Sequence, residues 1–253
     1  MAHLEDRIMR VVQKLSPARL FAPIERWAPV VAVGLAIVIS SSARSQTGSE
    51  PVYAVTYLDV GASSLGRGVD LLKQYRESSR HEAANVEFTV LQETDRPNRF
   101  AVVEGWKDQS AFDAHQKAAS TAQFEEALKA IRNSPPNQHV LHDFATGSAR
   151  AERPSGALYM VEHIDFLPMF ANIAQPAVRR LAEASAKEEG VLRYDIYQEP
   201  APHANHFSVV GVWASAKAFD GHETAAPTRE FRAATVMPAR GNLYDQRLYK
   251  IVD

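Results

Sequence analysis

Two tryptophan–histidine pairs recur in the sequence with the same spacing. Trp106 precedes His115 by nine residues, and Trp213 precedes His222 by nine residues. An imidazole titrates near neutral pH and can act as a general base or contact a ligand, and an indole face can stack a flat aromatic ligand. The alternative is structural, with the tryptophan as a plug between strand and helix and the histidine half-buried in a hydrogen bond. Occurrence in both places favours the structural alternative, because a residue that determines the fold must appear twice and a catalytic one need not.

A carboxylate lies beside the first of these pairs. Glu104 comes two residues before Trp106, so in a strand both side chains point to the same face. If that face is enclosed, burial would raise the pKa of the carboxyl group and make it a candidate base. A solvated or ion-paired carboxylate near the sheet edge is the alternative. The corresponding position before the second tryptophan is Gly211, so a site confined to one half of the chain would lie in the first half.

Two further polar side chains occupy equivalent places, 106 residues apart, in predicted strands. Tyr57 and His163 are candidate polar groups in a cavity between two sheets. We expect any catalysis to involve His115, Trp106, Glu104 and Tyr57. We expect substrate-binding contacts from Trp213, His222, His163 and Phe112.

Histidines that are close in sequence form no recognised metal motif. His139 and His142 are three residues apart in a predicted strand and face opposite sides. His203 and His206 lie in a predicted solvated turn, and His222-Glu223 has no second histidine at the zinc-protease spacing. The sequence also has no cysteine, no glycine-rich phosphate loop and no GxSxG elbow. We therefore predict no metal ligand and no cofactor.

Length and composition indicate two ordinary globular domains. The chain has 253 residues, of which 45% are hydrophobic and 23% charged. A formal net charge of −2, with no long run of either sign, argues against nucleic acid as the main partner. We expect a small hydrophobic or aromatic molecule as the partner instead.

An internal repeat determines the predicted architecture. Residues 100–124 and 207–231 align without a gap and are identical at 12 of 25 positions. Upstream the offset falls from 107 to 106, and the one-residue slip lies between Glu93 and Phe100, in a turn-like stretch where insertions are tolerated. The predicted domains are residues 51–146 and 157–253, with residues 147–156 as the linker.

Each repeat is predicted to have the order β-α-β-β-α-β. Alternating strand patterns cover Val52–Val60, Val86–Glu93, Arg99–Trp106 and Gln138–Ala145, with helical patterns between them. This is the ferredoxin-like α+β arrangement, in which helices cover one face of a four-stranded sheet. The other face needs a partner, so we predict that the two sheets pack face to face as an intrachain pseudo-dimer. The sequence leaves open whether this fused unit oligomerises further.

The N-terminal residues 1–50 are expected to stand apart from these domains. Basic residues precede an apolar run at residues 28–39, and Ser41 and Ala43 follow like a cleavage site. The run is shorter than the roughly 20 residues of a bilayer span. We expect a cleaved export signal and a periplasmic or extracellular protein, with an uncleaved membrane anchor or a soluble N-terminal helix as alternatives. Membrane contact is expected only if the segment is uncleaved.

The stretch 99–115 ends a strand in Glu-x-Trp and places a histidine nine residues later. It resembles the signature of the antibiotic biosynthesis monooxygenase (ABM) family, and the resemblance extends from Val52 to Val252. Because members of that family usually form homodimers with an α+β barrel, the resemblance implies that this tandem is such a dimer fused in one chain. It also implies cofactor-independent monooxygenation of a small quinol-like aromatic, in which a base removes a phenolic proton and the anion reacts with O₂.

Departures from the family pattern leave two alternatives open. Cofactor-free members of this type carry an asparagine four residues before the tryptophan, where this chain has Val102 and Val209. Haem-degrading members carry an asparagine near the end of the first strand, where neither repeat has one. One alternative is a non-catalytic exported module that holds a hydrophobic ligand between the sheets. The other is haem binding or degradation, with His115 or His222 as the iron ligand.

Overall fold

A computed structural model describes residues 50–145, 154, 156–235 and 245–253. These belong to one unit, Thr47–Asp253. The predictions for the N-terminal segment and for most of the linker lie outside the described residues and stay predictions. Among the described residues, no helix combines the length and the apolar character needed to cross a bilayer.

The first half follows the predicted element order, with its second helical region divided in two. A short 3₁₀ turn, Ala62–Ser64, leads into the first helix. The described elements are β1 (Val52–Asp59), α1 (Leu65–Arg80), β2 (Asn85–Glu93), β3 (Arg99–Trp106), α2 (Gln109–Gln116), α3 (Ala119–Lys129) and β4 (Asn137–Ala145).

The second half repeats this order. Its 3₁₀ turn, Pro168–Phe170, again precedes the first helix. The described elements are β5 (Leu158–Asp165), α4 (Ala171–Ser185), β6 (Val191–Gln198), β7 (His206–Trp213), α5 (Ala216–Thr224), α6 (Ala226–Thr235) and β8 (Asp245–Ile251).

The second helical region of each half begins at a side-chain N-cap. The Asp108 carboxylate accepts a hydrogen bond from the N–H of Ala111, and the Ser215 hydroxyl accepts one from Ala218. Each cap satisfies a backbone donor that the first helical turn leaves free. In the first half the region then divides at Ala118, whose extended backbone (φ −64°, ψ 148°) separates α2 from α3.

Pro176 lies inside the first helix of the second half. The helix α4 begins at Ala171, so Pro176 is its sixth residue. Because proline has no N–H, the carbonyl of Asn172 lacks its helical donor.

The described strands close into a barrel. Each half has the ferredoxin-like strand order, β4-β1-β3-β2 and β8-β5-β7-β6, with antiparallel pairing throughout. The two sheets join at both edges, where β2 pairs with β8 and β4 pairs with β6. This arrangement confirms the predicted tandem α+β fold and adds that the sheets meet edge to edge as well as face to face.

The register of the two hairpins locates the one-residue slip. Gln92 pairs with Phe100 across the β2–β3 hairpin, a separation of eight residues. Gln198 pairs with Phe207 across the β6–β7 hairpin, a separation of nine residues. The extra residue therefore lies in the second hairpin turn, where it shifts no side chain to the opposite face of the sheet.

Alternating strand positions supply three apolar cores. One core lies between sheet and helices in each half, and a third fills the interior of the barrel. In the barrel interior, Tyr159 and Tyr249 are each 1% exposed. The middle of the space between the sheets is therefore packed by the protein's own side chains, which disfavours a hydrophobic ligand there.

A buried ion-pair group closes one end of the barrel interior. Arg193 on β6 donates two hydrogen bonds to the Glu87 carboxylate on β2, at 2.6 Å and 3.0 Å. It donates further bonds of 2.7 Å to the Asp195 carboxylate and to the Tyr197 hydroxyl. Because β2 and β6 are not neighbours in the barrel, this group connects separate parts of its wall.

Replacement of Arg193 by alanine should destabilise the fold strongly. The Glu87 and Asp195 carboxylates would remain buried without their cation, and breaking a buried pair in this way costs about 3–5 kcal/mol. Urea unfolding at neutral pH measures the effect. The control Arg96→Ala, in the exposed β2–β3 turn, should lie within about 0.5 kcal/mol of wild type. Equal midpoints for Arg193→Ala and wild type would contradict the assigned role.

Candidate active site

The face of β3 that carries the predicted carboxylate is the one covered by helices. Phe100, Val102 and Trp106 belong to the helix-side core of the first half. Glu104 lies two residues from Val102 and two from Trp106, so its side chain points to the same face of the strand. Its exposure is 3%, and that of Trp106 is 0%. The enclosed-carboxylate alternative from the sequence is therefore the one that the fold produces.

Glu104, Trp106 and His115 form one contact group. The indole N–H of Trp106 donates to Glu104 Oε2 at 2.8 Å, and His115 Nε2 lies 3.4 Å from the same oxygen. The His115 ring stacks on the indole, with centroids 4.2 Å apart. A buried indole has one donor and no acceptor, so Glu104 satisfies the polar group of Trp106 and is held in position by it.

His115 extends this group to α1 and beyond. Its Nε2 lies 2.8 Å from the Tyr75 hydroxyl, and its Nδ1 lies 2.9 Å from Glu82 Oε1. In the neutral tautomer that donates Nδ1–H to Glu82, Nε2 accepts from Tyr75. The Thr121 hydroxyl donates to the His115 carbonyl at 2.7 Å. His115 on α2 thus contacts Tyr75 on α1 through its ring and Thr121 on α3 through its backbone carbonyl, behind the carboxylate.

A cavity of about 280 Å³ opens in front of Glu104. Its apolar lining includes Val102, Phe124 and Leu128, and its polar lining includes Tyr75 and Gln138. The volume lies near the lower limit of about 300 Å³ for small-molecule pockets, so it suits a small ligand. A carboxylate with polar neighbours at the wall of an apolar pocket is an arrangement suited to proton abstraction.

Burial decides the electrostatics of this pocket. Burial raises the pKa of Glu104, against the lowering effects of the hydrogen bond from Trp106 and of His115. Burial also raises the pKa of Tyr75 well above its ordinary value, and the nearby charge of Glu104 acts in the same direction. Glu104 is therefore more basic than an ordinary glutamate, and Tyr75 stays a neutral hydrogen-bond donor.

The second half lacks the two polar groups that define this pocket. The repeat offsets align Leu181 with Tyr75 and Gly211 with Glu104. Leu181 is 4% exposed and lies in the helix-side core of its half. A phenol is thus replaced by an aliphatic side chain and a carboxylate by a hydrogen atom.

The indole of Trp213 occupies the space beside Gly211. A Cβ atom added to Gly211 would lie 2.3 Å from Cη2 of that ring. The buried Nε1 of Trp213 has no hydrogen-bond partner among the described residues, as expected when the acceptor is missing. His222 keeps its contact with Glu188, Nδ1 to Oε2 at 2.8 Å. The second half retains the histidine–glutamate pair without the carboxylate that faces a cavity in the first half.

Replacement of Gly211 by alanine should destabilise the second half. The added methyl group would overlap the indole of Trp213, and overpacking of a core costs about 1–3 kcal/mol. Gly221→Ala is the matched control, because no atom lies within 4 Å of its added Cβ on helix α5. The control should gain about 0.5–1 kcal/mol. Urea unfolding of both variants provides the comparison, and a stabilised Gly211→Ala protein would refute the packing described here.

The remaining predicted site residues do not join this pocket. Tyr57 and His163 lie on the barrel side of their sheets, in a polar cavity at the barrel mouth. The grouping of Tyr57 with Glu104 therefore requires correction, because the two side chains are on opposite faces of the first sheet. Phe112 is 5% exposed and belongs to the helix-side core. Burial and the neighbouring His139 lower the pKa of His163.

Sequence reasoning missed four members of the group: Tyr75, Glu82, Thr121 and Gln138. Tyr75 lies within the first helix and carries no motif that marks it. The difference from Leu181 at the same repeat position is a signal that could have found it, since it parallels the difference between Glu104 and Gly211. Glu82 recurs as Glu188, but nothing in the sequence shows that either meets a histidine.

Replacement of Glu104 by glutamine should stabilise the fold in a pH-dependent way. The folded pKa lies above the ordinary value of 4.5, so the folded state holds a proton that the unfolded chain loses first. Wild-type stability therefore falls as pH rises from about 4.5 to the folded pKa, by at most about 1.4 kcal/mol per pH unit. Below that window the group contributes no penalty, and above it the penalty is complete and constant.

Urea unfolding at a series of pH values measures this difference. Glu104→Gln should gain on wild type through the window and keep a constant advantage above it. The control Glu77→Gln, whose side chain is 65% exposed, should show no such trend. A pH-independent difference between Glu104→Gln and wild type would contradict a raised pKa.

The fold and the site together define a class of protein. Two β-α-β-β-α-β halves close one barrel, and a pocket with a buried carboxylate lies between sheet and helices of the first half. The sequence profile described as antibiotic biosynthesis monooxygenase matches residues 51–135 and 169–234. These ranges cover more than half of the chain, and they include Glu104, Trp106 and His115. The chain belongs to the antibiotic biosynthesis monooxygenase family.

Solved structures share the fold of both halves. A candidate monooxygenase from Fusobacterium nucleatum aligns over 81% of this chain and 94% of its own, with a TM-score of 0.72 and 14% identity. A candidate monooxygenase from Lactobacillus acidophilus aligns over 81% and 95%, with a TM-score of 0.65 and 14% identity. An anthrone oxidase-like protein aligns over 81% and 92%, with a TM-score of 0.64 and 9% identity. No curated protein matches the sequence significantly.

Proposed function

We propose that the first half carries the active site of a cofactor-independent monooxygenase acting on a small, flat, electron-rich aromatic of quinol type. Family membership supports the reaction class. The observation that carries the proposal is Glu104, a buried carboxylate of raised pKa at the wall of an apolar cavity. The second half serves as structural support, because Gly211 and Trp213 leave it without the corresponding carboxylate and space.

Glu104 is the proposed general base. Its Oε2 is fixed by the indole N–H of Trp106, and its Oε1 lies 3.4 Å from the Gln138 amide nitrogen. A phenolic substrate in the cavity would give its proton to this carboxylate. The Gln138 amide lines the same cavity and can donate a hydrogen bond to the phenolate oxygen, which stabilises the charge that develops. The single O–H of Tyr75 is already donated to His115 Nε2.

Trp106 and His115 are proposed to position the base rather than to contact the substrate. Both are 0% exposed, so the indole face stacks on imidazole instead of on a ligand. His115 in turn is oriented by Glu82 and bonded to Tyr75. This arrangement gives Trp106 and His115, which the sequence analysis named as candidate catalytic residues, a supporting role behind Glu104.

The oxidation needs no external reductant. The aromatic anion gives electrons to O₂ at an activated ring carbon, and a carbon–oxygen bond forms. Overall the substrate loses two hydrogen atoms and gains one oxygen atom, while the second oxygen atom leaves as water. The substrate thus supplies all four electrons that reduce O₂, and the proton taken by Glu104 returns to the departing water. The apolar cavity keeps bulk water away from the anion.

The two alternatives from the sequence receive less support. A hydrophobic ligand between the sheets would need the barrel interior, which is packed in its middle. Iron ligation by His115 would need a free and accessible ring nitrogen, but both of its nitrogens have partners and the residue is fully buried. His222 is 3% exposed and bonded to Glu188.

Oxygen uptake with a panel of quinols tests the proposal. The panel should include anthrone, because one structural neighbour is described as anthrone oxidase-like. For a substrate that supports uptake, Glu104→Gln should lower kcat by about 10²–10⁴-fold, the usual contribution of a general base. The glutamine keeps the shape of the side chain and can still accept from Trp106.

The matched control is Glu162→Gln. Glu162 is a carboxylate of the second half that is 4% exposed, so the variant makes the same chemical change outside the proposed site. It should keep wild-type kcat, with circular dichroism showing that both variants are folded. Undiminished uptake in Glu104→Gln would rule out this base, and no uptake with any member of the panel would count against the substrate class.

A further inference from the structure

The barrel mouth opposite the Arg193 group collects histidines. Four of the nine histidines of the chain converge there: His139, His163, His203 and His206. His139, His163 and His206 line a cavity of about 500 Å³. This cavity lies on the barrel side of the sheets, so it is separate from the proposed active site between sheet and helices.

Histidine and carboxylate atoms come close together in this mouth. His139 Nδ1 lies 2.7 Å from Glu199 Oε1, and His163 Nε2 lies 2.8 Å from Asp165 Oδ1. His206 Nδ1 lies 3.3 Å from the same oxygen of Asp165. The candidate ligand atoms of His139, His163 and Glu199 lie within 4.8 Å of one another, as do those of His163, Asp165 and His206. The two groups share His163.

The backbone holds these side chains on separate elements of the barrel. His139 lies on β4, His163 and Asp165 on β5, and His206 on β7, while Glu199 directly follows β6. Hydrogen-bonded strands therefore fix the positions of the ligands relative to one another, as a preformed site requires. The Nδ1 atom of His163 is buried and has no hydrogen-bond partner among the described residues.

The two halves of the mouth differ in the cation that faces each carboxylate. In the first half Arg99 lies 3.4 Å from Asp59, Nε to Oδ2. The same pairing position in the second half joins His206 to Asp165. A guanidinium is always charged and offers no lone pair to a metal ion, whereas an imidazole nitrogen is a common metal ligand. The second half therefore has a potential metal ligand where the first half has a fixed positive charge.

A second exchange of the same kind occurs beside it. Strand pairing places His139 opposite Val55 and Arg247 opposite Val161, so these two residues are counterparts. The first strands likewise offer Tyr57 in one half and His163 in the other. Three positions of the mouth therefore carry an imidazole where the other repeat carries a different side chain. They are His206 opposite Arg99, His139 opposite Arg247 and His163 opposite Tyr57. All three imidazoles lie beside the carboxylates of Glu199 and Asp165. A bound cation would supply the charge that the arginines provide on the other side.

We infer that the His163 side of the barrel mouth binds one divalent transition-metal ion such as Zn²⁺ through His163, which both groups share, together with either His139 and Glu199 or Asp165 and His206. Imidazole and carboxylate ligands suit zinc and its neighbours, whereas magnesium and calcium prefer oxygen ligands throughout. Three protein ligands with an open position are usual for a zinc site that faces a cavity. The expectation of no metal ligand, drawn from the sequence, is revised because the ligands come from several strands rather than from one motif.

Metal titration of the full-length chain without a polyhistidine tag tests this inference. The protein is stripped with a chelator, dialysed and titrated with Co²⁺, whose visible absorption reports nitrogen and oxygen ligation, and with Zn²⁺ by calorimetry. One Co²⁺ per chain should bind, and Zn²⁺ should displace it. His163→Gln should lower Zn²⁺ affinity by at least about 100-fold, since loss of an outer-shell partner alone costs 10–100-fold.

The matched control is His81→Gln. The ring of His81 is 75% exposed at the end of α1, so the variant should bind Zn²⁺ as wild type does. X-ray absorption at the zinc edge of the wild-type complex provides a second readout that does not depend on how the variants fold, and it should show at least two imidazoles per zinc. No Co²⁺ spectrum in wild type, equal Zn²⁺ affinity in His163→Gln, or a zinc shell without imidazole would each overturn the inference.

Discussion

Closure of the barrel encloses both faces of the sheets, and this constraint determines where polar chemistry can occur. One face of each sheet fills the barrel interior and the other packs under helices, so a polar side chain in mid-strand must find a partner inside the protein. Glu104 is such a side chain, and Trp106, His115 and Gln138 are its partners. Arg193, Glu87 and Asp195 meet the same requirement by pairing with one another toward one end of the barrel.

The two halves solve the same packing problem with different side chains. In the first half the tryptophan donates to a carboxylate and leaves a cavity in front of it. In the second half Trp213 lies over Gly211, so this position has no carboxylate. The scaffold residues, including His222 and Glu188, stay the same. Identity between the halves therefore marks what the fold requires, and difference marks what one half does and the other does not.

The sequence predicted the fold well because the repeat and the alternation of strands are signals that the sequence carries directly. It also predicted the neighbours Glu104 and Trp106, whose shared face follows from strand geometry. It could not show that Tyr75 meets His115, because this contact joins helices 40 residues apart. Alternation shows which side chains of one strand share a face, but not which element covers that face. Tyr57 on β1 was therefore grouped with Glu104 on β3, although the two side chains lie on opposite faces of the sheet.

The edge pairings of β2 with β8 and of β4 with β6 have a further consequence. In a barrel assembled from two separate chains, these edges meet by association, and the closed form is lost on dilution. Here both edges belong to one polypeptide, so closure is a unimolecular equilibrium that dilution does not change. In a homodimer every substitution appears in both subunits, whereas in this single chain a substitution changes only one half. One half can then keep the reacting groups while the other changes freely, with the integrity of the barrel as its remaining requirement.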